Sequence, residues 1–209
     1  MRLLISGFEP FGGASVNPTA KLVEALATLP KPANVEVRGV ILPVTFKDAF
    51  AKLQNEIRTF DPDVVASFGL AGGRSSSIEF ERVAINCLDA DIPDNAGSQP
   101  RDLKIEGDGE NAFFSTLPNR ELIAALALVG VPAKISNSAG TYVCNYLLYK
   151  VLESNLRTRR KCGFIHVPFL PEQIVGKEGL PSMPWETLLT GFRTIVETLA
   201  RESQIVGQT

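Results

Sequence analysis

The sequence of 209 residues is poor in the side chains that usually carry neutral-pH chemistry, with one histidine, His166, and three cysteines, Cys87, Cys144 and Cys162. Histidine is the side chain whose ordinary pKa lies nearest neutrality, so imidazole-dependent proton transfer would have to use His166. An odd number of widely spaced cysteines argues against a disulfide framework and for reduced thiols. A structural zinc site needs about four Cys or His ligands at close spacing, so we expect no metal.

Long apolar runs and strong net charge are also lacking. No run reaches the length of a membrane span, and the N-terminal MRLLISGF is too short for a signal peptide and has no cleavage pattern. A formal net charge of −2 offers no basic stripe for nucleic acid, and the cationic cluster at 157–161 is typical of a solvated turn. We therefore expect a cytoplasmic protein that binds neither membrane nor nucleic acid.

The order of apolar and amphipathic segments predicts the fold. With 44% hydrophobic residues, the chain can form one core, so we expect a single domain over 1–209. Hydrophobic periodicity predicts strands at 2–7, 35–43, 63–69, 79–87, 133–137 and 162–167, and helices at 18–29, 46–60, 119–129, 141–155 and 184–201. This alternation predicts an α/β three-layer sandwich, a mostly parallel twisted sheet with helices on both faces. In such sheets ligands bind at the carboxyl ends of the strands.

Three connecting segments carry their own information. Asn17-Pro18 is a strong helix start, better explained as a cap than as a ligand. Two loops, 88–118 and 168–183, are long enough to suggest a role in function or assembly. The second is too apolar for a freely solvated loop, so we expect it to be buried in the active site or against another subunit.

The best candidate nucleophile lies in SNSAGTYVCNYLLYKVLE, residues 136–153. Apolar residues recur there at helical spacing, which places Cys144 in the first turn of a helix. The N-terminus of a helix lowers the pKa of a thiol, and its free amides can hold an oxyanion. The alternative is a buried cysteine acting as a small hydrophobe. Cys87 and Cys162 are not at helix starts, and we interpret them as core or inert.

His166 lies at the end of the predicted strand 162–167, and Cys144 follows the strand 133–137. One strand–helix–strand unit would bring these ends together. A thiol beside an imidazole is the pair used by cysteine proteases, in which histidine takes the thiol proton and later protonates the leaving amine. A structural role for the histidine is the alternative.

A carboxylate that orients the imidazole could come from several positions. Glu79 and Glu81 lie two residues apart on one strand face, and Asp89, Asp91 and Asp94 follow in the loop. Strand alternation does not choose among them, and a surface pair on an edge strand is the alternative for the two glutamates.

Two glycine-rich turns, GFEPFGG at 7–13 and AGGR at 71–74, follow predicted strands and suit close approach of the backbone to a ligand. Phe8 and Phe11 add two ring faces. Neither turn has the GxGxxG or GxxxxGK[ST] pattern of a phosphate cradle. An apolar slot with backbone hydrogen bonds suits a small, uncharged, amide-bearing group better than phosphate.

Four segments together resemble a known family. GFEPFGG with Asn17-Pro18, ERVAIN leading into IPDN, SNSAGTYVCNYLLY and GFIHVPFLPEQ span residues 7–173 and closely resemble the pyroglutamyl-peptidase I (pyrrolidone-carboxylate peptidase) family of cysteine peptidases. The resemblance implies an enzyme that removes an N-terminal pyroglutamyl residue from peptides without metal or cofactor. It implies an α/β fold similar to that of nucleoside phosphorylases and a homo-oligomer, a tetramer or dimer.

The resemblance also implies roles for individual residues. By motif position the nucleophile is Cys144 and the acid–base group is His166. The orienting carboxylate is Glu81, because the family's glutamate directly precedes the basic residue and the Val-Ala-x-Asn run. For the substrate, Phe8 and Phe11 match the aromatics that enclose the pyroglutamyl ring. Further pocket-lining positions, which supply backbone contacts, are matched by Leu70 and Val143.

The chain departs from the family pattern in two places. The stretch SSSIEF before Glu81 is one residue longer than usual, which predicts a bulge or a shifted loop. Asp91 stands where the family commonly has an arginine near the oxyanion region, and an acid there would repel developing negative charge. Either Asp91 points away and a cation such as Arg74 substitutes, or activity is reduced. The alternatives are thus a weakened pyroglutamyl-binding homologue and, with less support, a phosphorylase-like enzyme.

Overall fold

The computed structural model describes residues 1–30 and 33–206, with side chains as far as Arg201. Lys31, Pro32 and residues 207–209, which the predicted domain includes, lie outside the described residues. The strands are β1 (Arg2–Phe8), β2 (Glu36–Leu42), β3 (Val64–Leu70), β4 (Ile78–Glu81), β5 (Val83–Ile85), β6 (Ala112–Phe114), β7 (Ala133–Ser136) and β8 (Lys161–Val167). The helices are α1 (Pro18–Ala25), α2 (Asp48–Phe60), α3 (Asn119–Leu128), α4 (Val143–Ser154) and α5 (Trp185–Val206).

The central sheet has the strand order β2-β1-β3-β8-β4-β7. Strands β2, β1, β3 and β8 are parallel to one another, whereas β4 pairs antiparallel with β8 and parallel with β7. Strands β5 and β6 form a separate antiparallel pair. The mostly parallel sheet expected from the sequence is confirmed, with one reversal of direction between β8 and β4.

Side chains alternate across the sheet and supply two cores. Leu3 and Ile5 of β1 join a cluster with α1, α3 and α5, whereas Leu4 and Phe8 join a second cluster with α2 and α4. Burial of each large apolar side chain contributes roughly 1.5–3 kcal/mol before conformational entropy is counted. Helices on both faces are therefore confirmed. The face covered by α2 and α4 is called the α4 face below.

One predicted strand was wrong. The run 79–87 was expected to be continuous, but it divides at Arg82 into β4 and β5, which belong to different sheets. At the break, the Arg82 amide donates to the Ser136 carbonyl, and the Arg82 carbonyl accepts from the Ser115 amide. The alternation of apolar and polar residues is interrupted at Glu81-Arg82, two charged residues in succession, and the predicted strand ran through that interruption. Strand β6, within the loop 88–118, was not predicted.

The expected strand–helix–strand neighbourhood was also wrong. Strands β7 and β8 are not adjacent, because β4 lies between them, and β7 runs opposite to β8. Strand order depends on which strands form hydrogen-bonded ladders with each other. The periodicity of one strand does not indicate which strands lie beside it. Cys144 therefore approaches β8 through α4 and the connection 137–142, and not through a direct crossover.

Local signals at helix starts and loops were more reliable. The Asn17 side chain caps α1, accepting from the Thr19 amide at 3.0 Å, with Pro18 in the first turn, which confirms the cap. In the apolar loop 168–183, Leu170 and Met183 are buried in the core, whereas Val175 is exposed.

Across the described ranges, no helix combines the length and apolarity needed to cross a membrane.

Candidate active site

His166 lies near the end of β8 and is only 3% exposed. Its Nδ1 is 2.7 Å from Oε1 of Glu81, the last residue of β4. The imidazole also packs against the Phe164 ring, with centroids 4.8 Å apart. Phe164 belongs to the core of the α4 face, so strand alternation directs the imidazole toward α4 as well.

The two glutamates of β4 are both buried on the same face of an internal strand, which removes the alternative of a surface pair on an edge strand. Glu79 is the register partner of His166, but its carboxylate binds Arg74 and Lys134. Glu81 is the carboxylate that meets the imidazole. Strand alternation left the choice between Glu79 and Glu81 open, and the contact with the imidazole identifies Glu81.

The short contact between His166 and Glu81 suits one imidazole tautomer. With the ring proton on Nδ1, the imidazole donates to Glu81 Oε1 across the 2.7 Å contact, and this is the tautomer that we assign. The other nitrogen, Nε2, then carries the free lone pair. This is the form of histidine that can take a proton from a thiol.

Cys144 is the second residue of α4. The N-cap residue, Tyr142, makes no side-chain cap hydrogen bond, and amides of a first helical turn have no intrahelical partner, so they can receive an anion. The thiol lies against Gly69 of β3, the register partner of His166. The nucleophile candidate therefore lies at the level of the sheet where β8 carries His166.

Glycine is required at position 69 by space alone. A β-carbon there would lie 2.6 Å from the Phe164 ring and 3.1 Å from the Cys144 Sγ. The missing side chain leaves room for the thiol beside the imidazole strand. Gly69 and Phe164 are site residues that sequence reasoning missed, because a glycine and a phenylalanine inside apolar strands look like ordinary core positions.

The environment of Cys144 raises the pKa of its thiol. Burial contributes most, followed by the negative charge of Glu81, and these effects outweigh Arg74 and the residue's own backbone amide, bringing the pKa to about 12. The lowering expected from the helix N-terminus is present through the backbone amide, but removal from water outweighs it, so the net shift of the pKa is upward.

The residues expected to form the substrate pocket lie around the thiol. Phe8 is buried in the same core cluster as Val143, with its ring 6.2 Å from Phe164. Phe11 packs on Tyr142, with ring centroids 6.2 Å apart. Leu70 directly follows the glycine that contacts the thiol. These positions line the strand ends and the helix start that also hold Cys144.

Other residues of the recognisable motifs hold the loops together. Asn95 of IPDN donates to Glu9 Oε1 at 2.8 Å and to the Pro10 carbonyl at 3.0 Å. The Tyr142 hydroxyl donates to the Pro93 carbonyl at 3.1 Å. The loop after β1, the loop 88–118 and the start of α4 are thereby fixed to one another.

Asp91 points away from the site. Its side chain is 100% exposed and pairs with Arg101 at 3.5 Å. The idea that Arg74 substitutes for a missing oxyanion cation was wrong, because its guanidinium lies on the Nδ1 side of His166, among carboxylates. The extra residue before Glu81 is absorbed in the turn, where the Ser77 amide donates to Ser75 Oγ, and the β4 ladder is regular.

The fold and site together define a class, a cysteine-type hydrolase built on a mostly parallel α/β sheet. The sequence profile of the family described as "Pyroglutamyl peptidase" matches residues 1–202. The chain belongs to the pyroglutamyl peptidase family.

Relatives agree in sequence and in structure. The chain is 43% identical to a pyrrolidone-carboxylate peptidase of Fusobacterium nucleatum, covering 95% of this chain and 92% of that protein. It is 44% identical to one of Clostridium botulinum, covering 94% and 92%. The pyrrolidone carboxyl peptidase of Thermococcus litoralis superposes with a TM-score of 0.91 at 40% identity, covering 97% and 94%. Pyroglutamyl peptidase I of Bacillus amyloliquefaciens gives 0.88 at 34% identity, covering 96% and 97%.

Proposed function

We propose that this protein hydrolyses the bond after an N-terminal pyroglutamyl residue, with Cys144 as nucleophile, His166 as acid–base group and Glu81 as orienting carboxylate. The observation that carries the proposal is the 2.7 Å contact between Glu81 and His166, beside a strand glycine that contacts the Cys144 thiol. Membership of the family and the names of the relatives support the same substrate class.

In the acylation step, the Cys144 Sγ attacks the carbonyl carbon of the pyroglutamyl residue while His166 Nε2 takes the thiol proton. Because burial raises the pKa of the thiol, His166 is needed to take its proton during attack. The carbonyl oxygen becomes an oxyanion, which first-turn amides of α4 can stabilise. The C–N bond then breaks, and the imidazolium gives its proton to the departing amine.

In the second step, water attacks the thioester, and His166 Nε2 takes a proton from that water. The C–S bond breaks, the thiolate recovers a proton from the imidazolium, and pyroglutamate leaves as the free acid. Glu81 stabilises the imidazolium in both steps because its Oε1 accepts from the Nδ1–H.

Specificity for the pyroglutamyl ring follows from an apolar, uncharged setting. We assign the enclosure of the ring to Phe8 and Phe11, and the lining and backbone contacts to Leu70 and Val143. A free α-ammonium would have to be buried beside these groups without a dedicated anion, which is costly. The Glu81 carboxylate already pairs with His166 and Arg74, so it does not serve as an anion for the ammonium.

The test is turnover of pyroglutamyl-7-amido-4-methylcoumarin by the parent, by Cys144→Ala and by the matched control Cys87→Ala. We expect no turnover from Cys144→Ala and a parental rate from Cys87→Ala. Equal rates for the parent and Cys144→Ala would remove Cys144 from the mechanism. Saturable binding without turnover by the parent would favour the binding homologue, and phosphate-dependent cleavage would favour the phosphorylase-like enzyme.

We also propose that the chain forms one peptidase domain, acts in the cytoplasm and assembles into a homo-oligomer, a dimer or tetramer. Free Cys87, Cys144 and Cys162 support a reducing compartment. Exposed Phe114 and Val175 support assembly, because large apolar side chains at a surface often mark contacts between subunits. Light scattering after size-exclusion chromatography measures the oligomeric state, and a monomer at micromolar concentration would contradict the last proposal.

A further inference from the structure

Arg74 connects three parts of the site. Its Nε donates to Glu79 Oε2 at 2.8 Å, and its Nη2 donates to Glu81 Oε1 at 2.6 Å. Its Nη1 donates to the Ser138 carbonyl at 3.1 Å, in the connection that leads to α4. The same Nη2 lies 3.0 Å from His166 Nδ1. One guanidinium therefore touches the β4 carboxylates, the imidazole and the segment that precedes the nucleophile helix.

Glu81 has few other means of staying in place. Its carboxylate is fully buried, and Oε1 receives both donors, Arg74 and His166. Its second oxygen, Oε2, is buried and has no hydrogen-bond partner in the part of the chain that the structure describes. Without Arg74, the imidazole would be the sole described donor to that carboxylate.

The local charge balance also depends on Arg74. Glu79 and Glu81 are two buried carboxylates on one strand face, and two such charges repel each other unless a cation lies between them. Lys134 Nζ binds the far side of Glu79 at 3.2 Å. Glu79 thus lies between two cations, and Arg74 forms ion pairs with both Glu79 and Glu81.

From this geometry we propose that Arg74 is a positioning residue for the reaction, which holds Glu81 Oε1 on His166 Nδ1 and places a positive charge between the two buried carboxylates, while Lys134 pairs with the far side of Glu79. The proposal rests on the roles assigned to Cys144, His166 and Glu81 above. Arg74 is assigned no contact with the substrate, so its effect appears in kcat and in pH dependence and leaves KM nearly unchanged.

The sign of the pH effect follows from the groups that face the guanidinium. These are Glu79, Glu81 and His166, with Lys134 and the Cys144 thiol nearby. The reaction needs an ionised Glu81 and a neutral His166. Arg74 lowers the pKa of the neighbouring Glu79 carboxyl, and removing its positive charge favours protonated forms within this group, so the acidic limb of the kcat profile moves to higher pH.

The experiment compares Arg74→Gln and Arg74→Lys with the parent, using pyroglutamyl-7-amido-4-methylcoumarin across pH. For Arg74→Gln we expect kcat to fall about 10- to 100-fold, as for outer partners of orienting groups elsewhere, with KM within about twofold. Arg74→Lys keeps the positive charge but lacks the planar guanidinium with its several donors. We therefore expect a smaller loss of kcat and an acidic limb near that of the parent. The matched control is Arg38→Gln, since Arg38 has similar exposure and also pairs with a carboxylate, Glu56.

Chemical rescue separates positioning from a general role in folding. Guanidinium chloride at millimolar concentration should restore part of the rate of Arg74→Ala, whereas the same concentration of sodium chloride should not. A parental kcat and an unmoved acidic limb in Arg74→Gln would overturn the proposal. If that variant does not fold, a kcat for Arg74→Lys within twofold of the parent would overturn it instead.

The Cys144→Ala variant, measured alongside, keeps the two proposals distinguishable. No turnover from Cys144→Ala together with a parental Arg74→Gln would leave the peptidase mechanism intact and remove only the role of Arg74. Parental turnover from Cys144→Ala would remove the mechanism itself.

Discussion

The Cys144 Sγ lies 3.1 Å from the point where a β-carbon on Gly69 would stand. The thiol therefore occupies the space above β3 that any other residue would fill. Gly69 is the register partner of His166, so the absence of a side chain at Gly69 lets the thiol lie beside the strand that carries the imidazole.

Gly69→Ala should reduce activity and stability together, because the methyl group would also meet the Phe164 ring at 2.6 Å. Overpacking of this kind costs about 1–3 kcal/mol in the free energy of unfolding. Urea denaturation and kcat measure the two effects. The control is Gly107→Ala, since a β-carbon at Gly107 has no heavy atom within 4 Å. A fully active, equally stable Gly69→Ala would contradict the steric argument.

Glu81→Gln should leave the fold intact and remove most of the activity. The neutral amide can present its NH2 group to Nδ1, which would favour the tautomer with the proton on Nε2 and block its action as a base. In a comparable triad this change lowers kcat about 10,000-fold. Glu56→Gln, at a carboxylate paired with Arg38 outside the candidate site, is the control. A Glu81→Gln variant with more than a tenth of the parental kcat would argue against the orienting role.

The Cys144 thiol should react slowly with iodoacetamide at neutral pH and faster as pH rises. Burial and the charge of Glu81 raise its pKa to about 12, so the thiolate fraction grows about tenfold per pH unit through the accessible range. The measurement is alkylation of Cys144 in a Cys87→Ala background, followed by mass spectrometry. A plateau in rate between pH 8 and 9, near the ordinary value of about 8.5, would contradict this assignment.

Glu79 should contribute to acid sensitivity of the fold. Burial raises its pKa, but the charges and hydrogen bonds of Arg74 and Lys134 outweigh burial and hold the pKa below the ordinary 4.5. A carboxyl whose pKa is lower in the folded state stabilises the fold above its unfolded pKa and loses that contribution as pH falls through the folded value. Stability should therefore decline below about pH 4.5 less steeply in Glu79→Gln than in the parent. Urea midpoints from pH 7 downward give the comparison, and parallel curves would exclude Glu79 as a source.

The sequence predicted the layers of the fold because periodicity reports which face of a segment is buried. It placed most helices and strands within a few residues and located the Asn17 cap, whose chemistry is local. It failed at Arg82, where the chain bends between two sheets and two charged residues in succession interrupt the apolar alternation. It also failed on the neighbours of β8, because strand order is decided by long-range ladders.

In the candidate site, too, the sequence predicted the features that depend on local pattern and missed those that depend on contacts between distant residues. Cys144 at a helix start and the single histidine could be chosen from the sequence, but Glu81 could be separated from Glu79 only by the family resemblance. The direction of the Cys144 pKa shift depends on burial, which the first turn of a helix does not reveal. Arg74 was considered from the sequence only as a substitute cation for the oxyanion, and not as a partner of the β4 carboxylates. Two buried carboxylates on one strand face were the signal that a cation had to lie nearby.

The reversed strand β4 makes the candidate site depend on contacts between residues that are far apart in the chain. Glu81 and His166 are separated by 85 residues, and Arg74 and His166 by 92. Closing such long chain loops is slow, and the antiparallel contact with β8 has no local hairpin to start it. Regain of activity during refolding therefore reports the completion of this ladder, and local helix formation alone leaves the chain inactive.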